Sequence, residues 1–279
     1  MRGARLGSYE FGQKNLRKGM GAGMKVVILA GGKGTRISEE SRTKPKPMVE
    51  IGGKPIIWHI MKLYSHYGFH EFIICCGYLG QVIKEYFVHY YMYEADSTFC
   101  LDSSKTVFHE AAAEPWRVTL ANTGLNTLTA GRVLKVRDYI GNEPFLLTYG
   151  DGVSDVDIQK LIEFHKKQGR IATITTVQPL GRFGGVQIEP ESNQVLRFKE
   201  KARADQAWVN AGFMVMEPEV FAYLGAGSEM LEGKPFERLA AAGQMSAYRH
   251  QGFWSPMDNM RDKAYLEELW ESGEAPWKK

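Results

Sequence analysis

The chain alternates short, wholly apolar runs with longer segments in which apolar residues recur every three or four positions. A short apolar run that stops at a turn residue is typical of a strand buried on both faces of a sheet, and the longer spacing predicts amphipathic helices. The segments that predict strands are KVVIL (residues 25–29), EFIICC, RVTLAN, PFLLTY and RIATITTVQ. The segments that predict helices are KPIIWHIMKLYSHYG, GQVIKEYFVHYYMY, TAGRVLKVRDYI and VDIQKLIEFHKKQG.

Strands that alternate with helices of this length indicate the α/β class, with a Rossmann-like, doubly wound and mostly parallel sheet. We predict this arrangement for residues 24–178. Beyond Pro179 the pattern changes to shorter strand segments (GGVQIE, QVLRFKE and WVNAGFMVM), followed by helical segments (PFERLAAAG and MRDKAYLEELWESG). We therefore expect a single domain over residues 24–279, in which residues 179–279 form a smaller C-terminal α+β part.

Residues 1–23 form a leader without the apolar stretch and the small-residue cleavage site of a secretory signal. We interpret the leader as a disordered extension, an upstream start or a cloning remnant. It contains five lysines and arginines against one glutamate, so the formal net charge of +3 belongs mainly to it and the body is near neutral. We therefore expect neither nucleic acid nor a membrane surface as a partner.

Two further features of the composition bear on location. No apolar run approaches the ~20 residues that a bilayer span needs. The three cysteines show neither a metal-binding spacing nor an expected disulfide. We therefore predict a cytoplasmic protein.

The glycine-rich segment AGGKGTR directly follows the first predicted strand. In parallel sheets the loops at the carboxyl ends of the strands line the ligand crevice. Glycine allows backbone N–H groups to approach an anion closely, so this loop is a candidate phosphate site. Neither the dinucleotide fingerprint G-x-G-x-x-G nor the P-loop pattern matches it. A tight turn with an incidental lysine is the alternative.

A cluster of cations follows the glycine loop: Arg36, and then Arg42, Lys44 and Lys46 within SRTKPKPM. The two prolines of this motif predict an extended backbone, from which the lysines would project at fixed intervals. Such cations beside a row of N–H groups suit a triphosphate. Charge in contact with solvent is the alternative for Arg42 and Lys44.

Two aspartates are candidates for other chemistry. Asp151, in YGDG, stands at the carboxyl end of a predicted strand, and carboxylate oxygen is a preferred ligand of Mg²⁺. An ordinary turn aspartate is the alternative. Asp258, in FWSPMDN, precedes a predicted helix, so the motif PMDN taken alone could simply be a helix N-cap.

Several motifs together resemble those of the sugar-phosphate nucleotidylyltransferases, which join a nucleoside triphosphate to a sugar 1-phosphate. LAGGKGTR with KPKPMVEIGGKPI resembles the family signature. Longer stretches are similar to the members of the family that use CTP and glucose 1-phosphate: WHIMKLYSHYG, FIICCGYLGQVIKEYF, EPWRVTLANTG, LTYGDGVSDVDI, GRFGGV, GFWSPMDN and MRDKAYLEELWESGEAPWK. The resemblance begins at Met24 and extends to the last residues.

The resemblance implies the nucleotidyltransferase (GT-A-like) form of the doubly wound fold and a Mg²⁺-dependent transfer of CMP from CTP to glucose 1-phosphate. It also implies a homo-oligomer, for which the aromatic stretch EYFVHYYMYE and the segment after it are the candidate interface.

The resemblance further implies roles for individual residues. Arg36, Lys46 and Asp151 would be catalytic, and Asp151 and Asp258 would hold the metal. Nucleotide contacts would come from Leu29, Ala30, Gly31, Gly32, Lys33, Gly34, Thr35, Arg36, Lys46, Thr127, Arg132 and Gly150. The sugar phosphate would be bound by Gly184, Glu200, Lys201 and Asn210. For Arg132, a surface arginine at the start of a helix is the alternative.

Two other functions fit parts of the pattern. The segment EKARAD stands where the family usually has Glu-Lys-Pro, so the acceptor could be a different sugar 1-phosphate. A homologue that binds a nucleotide without turnover would keep the glycine loop, but it would have no need of two separate carboxylates. Both alternatives stay open at the level of the sequence.

Overall fold

The computed structural model describes residues 23–32, 43–109, 114–179 and 208–279, and the backbone of residues 185–188 and 195–199. Within these residues a central sheet has the strands Val26–Ala30 (β1), Glu71–Cys76 (β2), Arg117–Asn122 (β3), Phe145–Tyr149 (β4), Ala172–Val177 (β5), Val209–Met216 (β6) and Met245–Arg249 (β7). Their order is β7-β5-β6-β4-β1-β2-β3. Only β6 runs antiparallel to its neighbours, which confirms the mostly parallel sheet.

The helices in the described part of the chain are Ile56–His66 (α1), Gly80–Val88 (α2), Tyr90–Glu94 (α3), Thr129–Lys135 (α4), Arg137–Ile140 (α5), Ile158–Gln168 (α6), Lys234–Ala241 (α7) and Met260–Glu271 (α8). Short 3-10 turns lie at Lys46–Met48 and Pro218–Tyr223. Two-stranded ribbons pair Glu50–Ile51 with Lys54–Pro55, Ser97–Cys100 with Lys105–Phe108, Gly152–Ser154 with Trp254–Pro256, and Gly185–Ile188 with Val195–Lys199. No helix among the described residues is long and apolar enough to span a bilayer.

The central sheet is covered on both faces, as the doubly wound prediction requires. Successive side chains of a strand point to opposite faces. Val26 and Ile28 of β1 accordingly lie in one apolar core with α1, α6 and α8, whereas Val27 and Leu29 lie in a second core with α4 and α7. All four side chains are almost fully buried. The uniformly apolar sequence of β1 is therefore explained by burial on two sides.

The sheet also joins the two parts that the sequence pattern separated at residue 178. β6 inserts between β4 and β5, and β7 pairs with β5 at the edge. β7 was not predicted from the sequence. Its segment, MSAYR, is an edge strand in which only Ser246 is buried, so it lacks the apolar run that marks the central strands.

Two predicted helices are interrupted in the structure. The segment GQVIKEYFVHYYMY breaks at His89, whose φ of −96° and ψ of 7° end α2 and begin α3. The break allows Tyr90 to pack 6.1 Å from the ring of Trp116 and to accept a hydrogen bond from Nε1 of Trp58. The segment TAGRVLKVRDYI breaks in the same way at Val136, which is fully buried. Packing against the core overrides helix continuity at both points.

The prediction of an extended backbone through SRTKPKPM was wrong for its second half. Pro45 is extended, but the N–H of Met48 donates to its carbonyl oxygen at 2.8 Å and closes a 3-10 turn. Pro47 fits this turn because the first residues of a helical turn have no internal partner for their N–H groups. The two lysines consequently point to different places: Lys44 is exposed and pairs with Glu50, whereas Lys46 is buried.

Candidate active site

A cleft of about 450 Å³ lies at the carboxyl ends of β1 and β4. Ten residues that the sequence singled out line it: Leu29, Ala30, Gly31, Gly32, Lys46, Thr127, Arg132, Gly150, Asp151 and Asp258. Asn210 lies close by, with its amide nitrogen 3.3 Å from the hydroxyl of Tyr149, which also lines the cleft. Seven other candidates lie outside the described residues: Lys33, Gly34, Thr35, Arg36, Gly184, Glu200 and Lys201.

Lys46 stands between the two candidate metal ligands. Its Nζ lies 2.7 Å from Oδ2 of Asp151 and 2.6 Å from Oδ1 of Asp258. Burial alone would lower the pKa of Lys46, but the two carboxylates outweigh this effect and the pKa lies above its usual value. The lysine therefore remains a cation, and the three side chains together carry one net negative charge.

Backbone contacts hold the two aspartates in place. Asp151 follows β4, and its carbonyl oxygen accepts a hydrogen bond from the N–H of Met257 at 2.8 Å. Asp258 lies directly before α8, but the cap of that helix is Asn259, whose side chain accepts from the N–H of Asp262. The PMDN motif therefore does supply the N-cap of α8, but through Asn259, and the carboxylate of Asp258 is directed at Lys46.

The pair of carboxylates fits a divalent cation. The ammonium group of Lys46 already occupies a point within hydrogen-bonding distance of both. No group of three or more acidic, histidine or cysteine side chains with metal-site geometry is found within the described ranges. Mg²⁺ is commonly held by one or two carboxylates and completes its shell with substrate phosphates and water. Two aspartates in an open cleft match this pattern.

A ribbon connects the two aspartates to a second polar cluster. Gly152–Ser154 pairs with Trp254–Pro256, directly after Asp151 and just before Asp258. At the far end of the ribbon, Oδ1 of Asp155 accepts hydrogen bonds from the N–H of Phe253 at 2.7 Å and from Nε2 of His250 at 2.8 Å. Asp155 and His250 thus close the ribbon at the end opposite the candidate metal site.

Arg132 is buried against the first glycines of the loop, so the interpretation as a surface arginine was wrong. Only 4% of its surface is exposed, and burial lowers its pKa. Its guanidinium donates to the carbonyl oxygens of Gly31 at 2.8 Å and Gly124 at 2.9 Å, and to Oγ1 of Thr123 at 2.6 Å. A Cβ at position 31 would lie 2.1 Å from Nη1 of Arg132, so a larger residue there would displace the guanidinium from its acceptors.

Backbone contacts at the strand ends shape the rest of the cleft. The N–H of Gly150 donates to the carbonyl oxygen of Leu29 at 3.0 Å, which joins the ends of β4 and β1. Thr127 donates from its hydroxyl to the carbonyl oxygen of Thr123 at 2.6 Å, in the loop that precedes α4. These contacts place small side chains and backbone around the space where a nucleotide is expected.

Several polar residues near the cleft were not predicted from the sequence. Tyr149 donates from its hydroxyl to Oε1 of Glu232, and Thr129 donates to Oε2 of the same carboxylate at 2.8 Å. Tyr149 could have been noticed because it belongs to the YGDG motif. Glu232 stands in no motif, so only the folded chain reveals its position.

Comparison with known proteins identifies the family. Residues 25–262 match the family model described as nucleotidyl transferase. The glucose-1-phosphate cytidylyltransferases of Salmonella typhi and Salmonella typhimurium are each 52% identical over 256 residues, which is 91% of this chain and 99% of theirs. The fold is similar to that of apo UDP-glucose pyrophosphorylase, with a TM-score of 0.65, 17% identity, and coverage of 90% of this chain and 98% of that one. The protein is therefore a member of the nucleotidyl transferase family.

Proposed function

We propose that the protein transfers CMP from CTP to α-D-glucose 1-phosphate, giving CDP-glucose and pyrophosphate, with Mg²⁺ as cofactor. The single observation that carries this proposal is the 52% identity to glucose-1-phosphate cytidylyltransferase over nearly the full length of both chains. The cleft supports it, because a buried lysine and two carboxylates meet at the strand ends where such a reaction would take place.

In this reaction a phosphate oxygen of glucose 1-phosphate forms a bond to the α-phosphorus of CTP. The bond between that phosphorus and the oxygen bridging to the β-phosphate breaks, and pyrophosphate leaves. Both substrates are anions, so the site must neutralise charge and align the attacking and leaving oxygens. Mg²⁺, held by Asp151 and Asp258, would supply part of that neutralisation when bound.

Side chains and backbone groups of the protein would supply the rest of the charge neutralisation. Lys46 and Arg36 would bind the β- and γ-phosphates and stabilise the departing pyrophosphate, together with the loop residues Lys33, Gly34 and Thr35. We assign the nucleoside to the wall formed by Leu29, Ala30, Gly31, Gly32, Thr127, Arg132 and Gly150. We assign the sugar phosphate to Gly184, Glu200, Lys201 and Asn210.

The direct test is an assay of CDP-glucose and pyrophosphate formation from CTP and glucose 1-phosphate. We expect product with Mg²⁺ present and none after chelation. A panel of nucleoside triphosphates and sugar 1-phosphates separates this function from a transferase with another acceptor. Tight binding of CTP without any release of pyrophosphate across the panel would instead identify a non-catalytic homologue.

We also propose that the protein acts as a homo-oligomer in the cytoplasm. Apolar side chains are exposed on α3 and on the hairpin Ser97–Cys100/Lys105–Phe108, among them Leu101, which is 91% exposed. Light scattering should show an assembly that Leu101→Lys weakens and that the exposed control Leu125→Lys leaves intact. A cytoplasmic location agrees with the three cysteines being free thiols.

A further inference from the structure

Tyr149 and Thr129 line the cleft, and a third side chain, that of Glu232, contacts both of them. Tyr149 ends β4, Thr129 begins α4, and Glu232 lies in the segment just before α7. The hydroxyls of Tyr149 and Thr129 each donate to a different oxygen of the Glu232 carboxylate. The N–H of Leu231 donates to Oγ1 of Thr129 at 2.7 Å, which ties the segment to the start of α4.

The carboxylate is thus oriented, although Glu232 itself is exposed. Exposed glutamates usually sample many rotamers, and fixing one costs conformational entropy. Here two hydroxyl donors hold it, one from Tyr149 and one from Thr129. An oriented carboxylate beside a substrate cleft has the properties of a binding group.

The chemistry of this group suits sugar hydroxyls. A carboxylate has about four acceptor positions, so two donors leave capacity for further hydroxyls. A phosphate placed against the same oxygens would be repelled. Asn210 Nδ2, which donates to the hydroxyl of Tyr149 at 3.3 Å, connects this group to the side of the cleft assigned to the sugar.

The ring of Tyr149 lies against a residue that has no side chain. Gly212 faces it on β6, and a Cβ at that position would lie 2.4 Å from the ring. The glycine has a φ of +87°, a conformation that other residues rarely adopt. The local backbone therefore leaves room for this tyrosine.

We propose that Glu232 binds ring hydroxyls of the acceptor sugar and that Tyr149 and Thr129 position it. This inference rests on the proposed function and adds a specificity residue to it. The sugar 1-phosphate would be held by hydroxyl contacts at Glu232, and its phosphate would be directed away from that carboxylate.

The test compares two ligands that share the cytidine diphosphate group, CDP-glucose and CDP, by isothermal titration in the presence of Mg²⁺. Because a hydrogen bond to a charged group is stronger than one between neutral groups, Glu232→Ala should weaken CDP-glucose binding about tenfold or more and leave CDP binding within about twofold. In turnover, the same variant should raise KM for glucose 1-phosphate and leave KM for CTP nearly unchanged. Tyr149→Phe should show a smaller effect of the same kind, since Thr129 still holds the carboxylate.

The exposed glutamate of α7, Glu237, provides a matched control, and Glu237→Ala should bind both ligands as the unaltered protein does. Equal affinity of Glu232→Ala and the unaltered protein for CDP-glucose would overturn the inference. Equal weakening of CDP and CDP-glucose would also overturn it and would assign Glu232 to the nucleotide. A protein that neither makes nor binds CDP-glucose would instead refute the proposed function itself.

Discussion

The ammonium nitrogen of Lys46 lies 2.7 Å from Oδ2 of Asp151, although 105 residues separate the two along the chain. The same nitrogen lies 2.6 Å from Oδ1 of Asp258. Without a cation at this point, two carboxylates would face each other in a partly buried cleft and repel. Lys46 therefore stabilises the arrangement in the absence of ligands, and it stands where a divalent cation would contact the same oxygens.

The first prediction concerns competition between this ammonium group and a metal ion. Lys46→Met should bind Mn²⁺ more tightly than the unaltered protein when no nucleotide is present, because the competing positive charge is gone. The same variant should lose activity by about 100-fold or more, as expected when a group that stabilises transition-state charge is removed. Free Mn²⁺ can be counted by its electron paramagnetic resonance signal.

Lys44→Met is the matched control, since its ammonium group pairs with exposed Glu50 away from the cleft. It should change neither Mn²⁺ affinity nor turnover by more than about twofold, because exposed ion pairs contribute little. Weaker Mn²⁺ binding by Lys46→Met would show that the lysine does not occupy the position of the cation.

The second prediction concerns the two carboxylates. Asp151→Asn and Asp258→Asn should each lower turnover by about 100-fold or more, and each should weaken Mn²⁺ binding. The fold should persist, since Lys46 keeps its other carboxylate partner. The circular dichroism spectrum should therefore be unchanged. Asp138→Asn, on the exposed surface of α5, is the control. Full activity in both site variants would refute the assignment of these aspartates.

Much of this architecture could be predicted from the sequence, because the signals were local. The central strands are uniformly apolar since the sheet is covered on both faces, and glycine follows β1 where Arg132 approaches Gly31. The motifs around Asp151 and Asp258 stand at the ends of elements. Local order was therefore enough to place Asp151 at the carboxyl edge of the sheet, whereas only the family resemblance placed Asp258 beside it.

What could not be predicted depends on contacts between distant segments. The insertion of β6 into the middle of the sheet leaves no local trace, and neither does the meeting of Tyr149 with Glu232, 83 residues away. The bonds from Arg132 to the glycine loop could not be derived from the residues alone, because its acceptors are mainly backbone carbonyl oxygens, which have no sequence signature. The 3-10 turn at Lys46–Met48 was missed because proline fits both an extended segment and a first turn.

The third prediction concerns the ribbon that carries the two aspartates. Asp155→Ala removes the acceptor for Phe253 N–H and for Nε2 of His250, so the far end of the ribbon should loosen. We expect a lower melting temperature, since a hydrogen bond to a charged group contributes about 1.5–3 kcal/mol and these bonds are partly buried. We also expect several-fold weaker Mn²⁺ binding, although Asp155 itself does not contact the cation position.

The melting temperature and the Mn²⁺ affinity together distinguish a ribbon that positions the metal site from one that only stabilises the fold. His250→Gln, which can still donate one hydrogen bond to Asp155, should recover part of the Mn²⁺ affinity that His250→Ala loses. A fall in melting temperature with unchanged Mn²⁺ binding in Asp155→Ala would show that the ribbon end does not influence the metal site.

The fourth prediction concerns Arg132. Arg132→Met leaves the carbonyl oxygens of Gly31 and Gly124 without their donor in a buried place, and such losses cost about 1–3 kcal/mol for each unsatisfied group. We expect a drop in the free energy of unfolding of about 3 kcal/mol in urea, and a higher KM for CTP because the glycine loop loses its support. Arg132→Lys should recover only part of either quantity, since one ammonium group cannot reproduce the planar fork. Equal stability of Arg132→Met and the unaltered protein would contradict this account.

The fifth prediction concerns His59, which is buried in α1 against the C-terminal segment. Its Nε2 lies 2.8 Å from the carbonyl oxygen of Ile51, which can only accept, so Nε2 carries the proton. Its Nδ1 lies 3.4 Å from Nε1 of Trp277, which can only donate, so Nδ1 is the acceptor. The Trp277 contact therefore favours the neutral ring, because a proton on Nδ1 would face the donor of Trp277.

Burial, assisted by the charge of Lys54, lowers the pKa of His59 to about 4 from its usual 6.5. Between these two values the unfolded chain binds a proton that the folded chain does not bind, so the free energy of unfolding falls as the pH falls through this window. The loss attributable to His59 should reach about 3 kcal/mol near pH 4. Urea unfolding at pH 7 and pH 4.5 should therefore show a smaller decrease for His59→Asn than for the unaltered protein, while His66→Asn, on the exposed side of the same helix, should follow the unaltered protein. Parallel pH dependence of His59→Asn and the unaltered protein would show that this histidine is not held neutral.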